Sequence, residues 1–158
     1  IAEDETGETL HDKLAAAGAE LCVETLKALE DGTAVHEKQG ESPTAYAKML
    51  TKELGNIDWA QPAVRIERLI RGLNSWPGTY SHWNGKVMKI WKAKAEENNG
   101  GNNQPGAVLG VGKNDFTVQT GDGILRILEV QMPGKKRMET GAFLRGNTME
   151  PGDVLTQV

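Results

Sequence analysis

The sequence predicts an α+β fold, with helical segments in the first half of the chain and a small antiparallel β-barrel in the second. Up to Gly78 the apolar residues recur at helical spacing, whereas from Thr79 onward short stretches alternate between apolar and polar residues. Gly, Asn and Asp residues separate these stretches at intervals of about 8–12 residues, a spacing that is typical of small barrels and sandwiches.

The first predicted helix covers residues 6–30. Thr6 is a suitable N-cap, and Glu8 lies in the first turn, where an acidic side chain favours the helix dipole. Asp31 and Gly32 end the helix. Its apolar face needs a partner, because an isolated helix of this length is marginal in water and residues 33–56 are too polar to cover it. We therefore expect the helix to fray or to pack on another copy of the chain. The residues of that face are Leu10, Leu14, Leu21 and Leu26.

Residues 33–56 are polar and predict a linker that lies on a protein surface. The only periodic part is a short helix around Tyr46–Leu54, and Tyr46, Met49 and Leu54 are the expected anchors.

The central helix lies within residues 57–78. Pro62 falls in its first turn, where the missing N–H costs nothing, and Trp76-Pro77-Gly78 ends it. Its apolar stripe is the obvious partner for the barrel. The stripe consists of Ala63, Ile66, Ile70 and Leu73.

Asn84-Gly85 predicts a type I′ hairpin between strands at Thr79–Trp83 and Lys86–Ala95. By composition, residues 96–104 predict a flexible loop. Thr140 is expected to cap a short helix that ends at Gly146. Closure of the barrel would remove exposed strand edges. The remaining strands are predicted at Ala107–Val111, Phe116–Thr120, Ile124–Gln131 and Val154-Leu155.

The residue patterns of most catalytic and metal sites are absent from the sequence. The three histidines are isolated from one another and from Cys22, so no zinc spacing exists. A single cysteine excludes an internal disulfide and fits a reducing cytoplasm, which is the expected location. No apolar run approaches the ~18 residues of a transmembrane helix. We expect neither a metal nor a membrane partner.

Charge is divided unevenly along the chain. Residues 1–57 carry 5 Lys and Arg against 12 Asp and Glu, whereas residues 58–158 carry 13 against 10. Any one of the basic residues is more often a solvated surface charge, but together they favour a polyanion backbone as the partner. Few aromatic residues are interleaved with them, which favours a structured RNA held by its phosphates over a stacked single strand.

Six segments resemble the second half of the methionyl-tRNA formyltransferase family. They are ETLHDKLAAAGAEL, TAYAKMLTKELGNIDW, RLIRGLNSWPGTY, NGKVMKIWKA, TGDGILRILEVQMPGKKRM and FLRG, which together cover nearly the whole chain in order. One departure is Ser75, where the family usually has proline, and we expect it to change local stiffness only.

The resemblance implies a division of the chain. Residues 1–31 would be the last helix of a catalytic domain, residues 32–56 a linker, and residues 57–158 an OB-like barrel with a helix at each end. It also implies that the parent enzyme formylates initiator methionyl-tRNA with 10-formyltetrahydrofolate. The folate site and catalytic residues would lie in the preceding catalytic domain, so this chain alone is expected to be inactive. The expected tRNA-binding residues are Lys48, Lys52, Lys86, Lys89, Lys92, Lys135, Lys136 and Arg137.

Two alternatives remain open at this point. A sugar-nucleotide formyltransferase shares the architecture without needing RNA, although the basic triplet at 135–137 argues against it. A free-standing OB-like module is the other, although the unpartnered helix at residues 6–30 argues against that.

Overall fold

A computed structural model describes residues 1–97 and 103–157, so part of the predicted loop at 96–104 lies outside the described residues. Within these ranges the chain forms three α-helices, one 3₁₀ turn and six strands, which confirms the α+β prediction. The helices are α1 (Gly7–Glu30), α2 (Ala63–Gly72) and α3 (Thr140–Leu144), and the 3₁₀ turn is Lys52–Gly55. The strands are β1 (Thr79–Trp83), β2 (Lys86–Glu96), β3 (Val108–Val111), β4 (Phe116–Gln119), β5 (Ile124–Gln131) and β6 (Met138–Glu139).

The strands form one antiparallel sheet that curls into a barrel. Its order is β1-β2-β5-β4-β3, with β6 added to β5. Near the C-terminus, Val154 pairs with Ala107 just before β3, and Thr156 pairs with His82 of β1. This segment therefore connects the two outer strands, as predicted, although through isolated bridges rather than a regular strand. Connection of the two edges leaves fewer backbone groups unpaired.

Helix α2 packs on the barrel through its predicted apolar stripe. Ala63, Ile66 and Ile70 are each only 2% exposed, and Leu73 is also buried. Ala63, Ile66 and Ile70 join one core with inward residues of the strands, including the fully buried Phe116 and Ile127. The hairpin prediction is also confirmed, because Asn84 and Gly85 both have the positive φ that a type I′ turn requires.

Helix α1 is regular to Glu30, contrary to the expected fraying, and beyond its first turn it does not dock on the barrel. Thr6 caps it as predicted, in a capping box with Thr9. No residue of the helix is buried, and Leu14, Leu21 and Leu26 are each at least 60% exposed. The apolar face thus has no partner within the described residues.

The start of α1 is attached to the end of α2. The Arg71 guanidinium donates to the Glu5 carbonyl oxygen (2.8 Å), and the Glu8 N–H donates to that of Asn74 (2.8 Å). The Glu5 carboxylate accepts hydrogen bonds from Lys13 and then Thr9, which lower its pKa to about 2. The Glu5 carboxylate is therefore ionised and paired with Lys13 at neutral pH.

The predicted linker anchors and the capping role of Thr140 are wrong. Tyr46 and Met49 are 89% and 88% exposed, Leu54 is half exposed, and only the 3₁₀ turn is helical there. Short amphipathic helices depend on packing, and no described apolar surface covers this one. Glu139 is the N-cap of α3, while the Thr140 hydroxyl is buried without a hydrogen-bond partner in the described part of the chain.

Ser81 joins the core to the closing segment. Its hydroxyl accepts from the Trp59 indole N–H (3.0 Å) and donates to the Thr156 carbonyl (2.9 Å), and the side chain is fully buried. We expect Ser81→Ala to lower the free energy of unfolding by about 1–3 kcal/mol, because the Trp59 N–H would be buried without an acceptor. Urea denaturation measures this. An unchanged midpoint would mean that the indole finds another acceptor.

Candidate nucleic-acid interface

The outer face of the β1–β2 hairpin carries aromatic and basic side chains side by side. Thr79, Ser81 and Trp83 of β1 point into the core, so Tyr80 and His82 lie on the outer face. In the antiparallel register Tyr80 stands opposite Lys89. The Tyr80 and His82 rings contact edge to face, with centroids 6.1 Å apart. The face thus offers ring surface next to a cation.

Trp91 holds two cations close together on this face. Lys89 Nζ lies 5.3 Å and Arg137 Cζ 5.2 Å from the centroid of the indole ring. Both distances are within cation–π range. Because they are measured to the same ring centroid, the two positive groups lie less than about 11 Å apart. The indole N–H donates to Gln131 Oε1 (3.0 Å), and the Asn74 amide donates to the Trp91 carbonyl (3.3 Å). Trp91 is therefore fixed at both its ring and its backbone.

The basic triplet divides into two kinds of residue. Lys135 and Lys136 are exposed and form no ion pair with any described carboxylate. Their turn is held by the Gln131 amide, which donates to the Lys135 carbonyl (2.8 Å). Arg137 instead forms an ion pair with Glu129, whose hydrogen bond raises the pKa of the guanidinium. The two lysines are thus freer to meet phosphates than Arg137 is.

Most of the predicted RNA-binding residues line three neighbouring surface grooves. Lys52 and Lys89 line a groove of 530 Å³, and Lys92 and Arg137 line a second of 530 Å³. Lys86 and Lys135 line a third of 700 Å³. Lys136 lies in the adjoining turn. Lys48 lies in the exposed segment before the 3₁₀ turn and lines none of these grooves.

Acidic side chains lie in part of this surface. Glu3 and Asp4 line the same groove as Lys92 and Arg137. That groove therefore has mixed charge, whereas the turn at Lys135 and Lys136 is cationic. Two other arginines are structural: Arg71 binds Glu67 and the start of α1, and Arg126 binds Glu96 and Asp115.

The sequence pattern did not assign Tyr80, His82 and Trp91 to the candidate interface. The linear order shows few aromatic residues among the lysines, but the hairpin register places Tyr80 opposite Lys89, and Tyr80 contacts His82. Lys89 and Arg137 both lie over the Trp91 ring. The alternation of Thr79–Trp83 contained the signal, because it assigns Tyr80 and His82 to the face opposite Trp83.

Two other kinds of site receive no support from residues 1–97 and 103–157. No group of three or more His, Cys, Asp and Glu residues there could hold a metal ion. Over the same residues, no helix has the length and apolar character needed to cross a membrane.

Comparison with known proteins places this chain in a family. Residues 49–148 match the family model described as the C-terminal domain of formyl transferases. The chain belongs to this formyl transferase C-terminal domain family. The match confirms the resemblance seen in the sequence.

Its relatives include methionyl-tRNA formyltransferases. The one from Agathobacter rectalis is 54% identical over 156 residues, which cover 99% of this chain and 50% of that protein. The one from Caldanaerobacter subterraneus subsp. tengcongensis is 47% identical over 155 residues, with coverages of 98% and 50%. The chain therefore spans about half the length of the curated relatives it matches.

A solved structure also shares the fold. The crystal structure of HypX from Aquifex aeolicus in complex with tetrahydrofolic acid aligns with a TM-score of 0.56 and 25% identity. The alignment covers 88% of this chain and 26% of that one.

Proposed function

We propose that this chain is the tRNA-binding C-terminal part of a cytoplasmic enzyme of translation initiation. The enzyme transfers a formyl group from 10-formyltetrahydrofolate to the amino group of initiator methionyl-tRNA. The names of the relatives support the reaction, and the half-length match supports a catalytic centre in polypeptide beyond this chain. The folate would bind there. The tetrahydrofolic acid in the HypX complex supports a folate co-substrate.

The observation that best supports the RNA-binding role is the cationic turn at Lys135 and Lys136, which lies beside the two basic side chains over the Trp91 ring. Lys135 and Lys136 are exposed and unpaired among the described residues, and Lys89 and Arg137 lie over one ring next to them. Lysine and arginine contacts to phosphates supply sequence-independent affinity for nucleic acid. We assign the phosphate contacts to the eight basic residues predicted from the sequence, with Lys48 and Lys52 approaching the acceptor stem. Arg137 is the weakest of them because Glu129 already neutralises it.

The proposed domain division follows the same logic. The exposed face of α1 supports residues 1–31 as part of the catalytic domain, and the exposed segment after it supports a linker. Gly55 is buried, and Asn56 pairs with Tyr80 of β1, so the barrel domain has its first contacts near the proposed start at Ile57. The unpartnered α1 face also counts against a free-standing module.

The test is a pair of measurements on the 158-residue chain. We expect it to retard initiator tRNA in a gel shift at low salt and to show no formyl transfer with 10-formyltetrahydrofolate. Binding of a sugar nucleotide in place of tRNA would favour the sugar-nucleotide formyltransferase. Formyl transfer by this chain alone would contradict the assignment of the catalytic centre to other polypeptide.

A further inference from the structure

One groove on this face differs in chemistry from a simple phosphate-binding surface. It is lined by Lys52, Glu53, Pro77, Tyr80, His82, Val87 and Lys89, and we refer to it as the aromatic groove. We propose that the aromatic groove binds one unpaired nucleotide of the RNA, with the base against Tyr80 and His82 and the phosphate near Lys52 and Lys89. This deepens the proposed function and rests on it, because it names the part of the RNA that is bound.

The shape of the groove suits a single base. Its volume of 530 Å³ falls within the ~300–1,000 Å³ typical of small-ligand sites. The planes of the Tyr80 and His82 rings are 81° apart. The two rings therefore do not form one flat surface on which successive bases could stack. Pro77 adds apolar surface at the wall.

The charges of the groove match a nucleotide. Lys52 comes from the 3₁₀ turn and Lys89 from β2, and neither forms an ion pair with a described carboxylate. Glu53 is the acidic member. Its backbone N–H and then the Thr51 hydroxyl lower the pKa of its carboxyl, so it is ionised at neutral pH. A carboxylate accepts hydrogen bonds from the amino groups of cytosine, adenine or guanine, and uracil has no such group.

An unpaired nucleotide fits better than a base pair. Ring surfaces bind RNA bases when the bases are unstacked and exposed, as they are in single-stranded ends and loops. The aromatic groove also adjoins the basic side chains over Trp91, because Lys89 lies both in the groove and over the Trp91 ring. A strand whose backbone follows Lys89 and Arg137 could therefore place a neighbouring base in the groove.

The experiment compares Tyr80→Ala with two controls, using hexanucleotides of adenosine and of uridine as probes. Tyr80→Phe keeps the ring, and Tyr46→Ala removes the other tyrosine, which is 89% exposed outside the groove. We expect Tyr80→Ala to weaken binding of the adenosine probe by about 5- to 150-fold, since base stacking supplies that much. Its slope of log affinity against log salt should not change, because no phosphate contact is lost. Tyr80→Phe and Tyr46→Ala should bind within twofold of the parent.

A second measurement does not depend on the folding of the variant. In the unmutated chain, the adenosine probe should shift the NMR signals of the Tyr80 and His82 rings, and the uridine probe should shift them less at equal concentration.

The outcomes separate the two proposals. Unchanged affinity of Tyr80→Ala with unshifted ring signals, while tRNA still binds, would overturn the groove and leave the proposed function standing. Failure of the parent chain to bind tRNA would overturn the proposed function. Displacement of the ring signals by an acidic peptide and by neither oligonucleotide would make the groove a protein site and overturn the nucleotide proposal.

Discussion

Replacing Gly121 with alanine is expected to lower the free energy of unfolding by about 3 kcal/mol, the upper range for steric overpacking. The added Cβ would overlap the Ala60 carbonyl oxygen and lie 2.6 Å from its carbon. Both atoms belong to backbone, so no side-chain rotation relieves the overlap. Residues 59–61 lead directly into α2, and the Gly121 N–H donates to the Trp59 carbonyl (2.9 Å). The substitution therefore forces apart the helix entry and the β4–β5 turn. Urea denaturation of the two proteins measures the loss.

Gly72→Ala is the matched control. A Cβ at Gly72 would meet no described atom within 4 Å apart from its chain neighbours and its own helix backbone, and the residue lies in the last turn of α2. Alanine costs less backbone entropy than glycine in a helix, so we expect this variant to be unchanged or up to about 1 kcal/mol more stable. Equal stability of the two variants would show that the β4–β5 turn adapts without cost.

The role of Gly121 shows where sequence reasoning ends. Gly121-Asp122-Gly123 reads as a turn between strands, which is correct. Its second role is tertiary: the Ala63 N–H donates to the Asp122 carbonyl (2.8 Å), so the turn also holds the first residue of α2. Nothing in the periodicity of either segment reports that the two backbones meet. Local sequence patterns predict helices, strands and turns, whereas close approaches between these elements can be seen only in the folded structure.

Elements with a complete local signal were predicted well. The stripe of α2 and the Asn84-Gly85 turn each depend on a few adjacent residues, and both are as expected. The segment around Tyr46 and Met49 has helical spacing, but no apolar surface in residues 1–97 and 103–157 covers it, and it is exposed. A short segment with helical spacing depends on a partner surface, whereas the longer, capped α1 is helical although its apolar face is exposed.

The candidate interface was predicted from charge, and the structure adds aromatic residues and an ion pair to it. The sequence singled out Lys135, Lys136 and Arg137 as one group, yet only the structure shows that Glu129 pairs with Arg137. It also could not show that Lys89 and Arg137 both lie over the Trp91 ring, because the contact joins β2 to residues after β5. Pairings between distant strands determine which charges remain available to a ligand.

The exposed lysine pair gives the largest expected change in tRNA affinity. We expect Lys135→Gln combined with Lys136→Gln to reduce the slope of log affinity against log salt by about 2, one for each lost phosphate contact. Counterion release then implies an affinity loss of about 200-fold at 50 mM salt and about 20-fold at 200 mM. Fluorescence anisotropy of labelled initiator tRNA across this salt range measures both quantities.

The control must remove the same charge elsewhere. Lys27 and Lys38 are exposed and lie in the acidic first part of the chain, outside the grooves described above. Lys27→Gln combined with Lys38→Gln changes the net charge equally, so any general attraction of tRNA to the chain falls by the same amount in both variants. We expect the slope of this control to match the parent, because no phosphate contact is lost. If both double variants lowered the slope equally, the cationic turn would act through net charge and would not be a contact site. If neither did, the phosphates would be held elsewhere on the barrel.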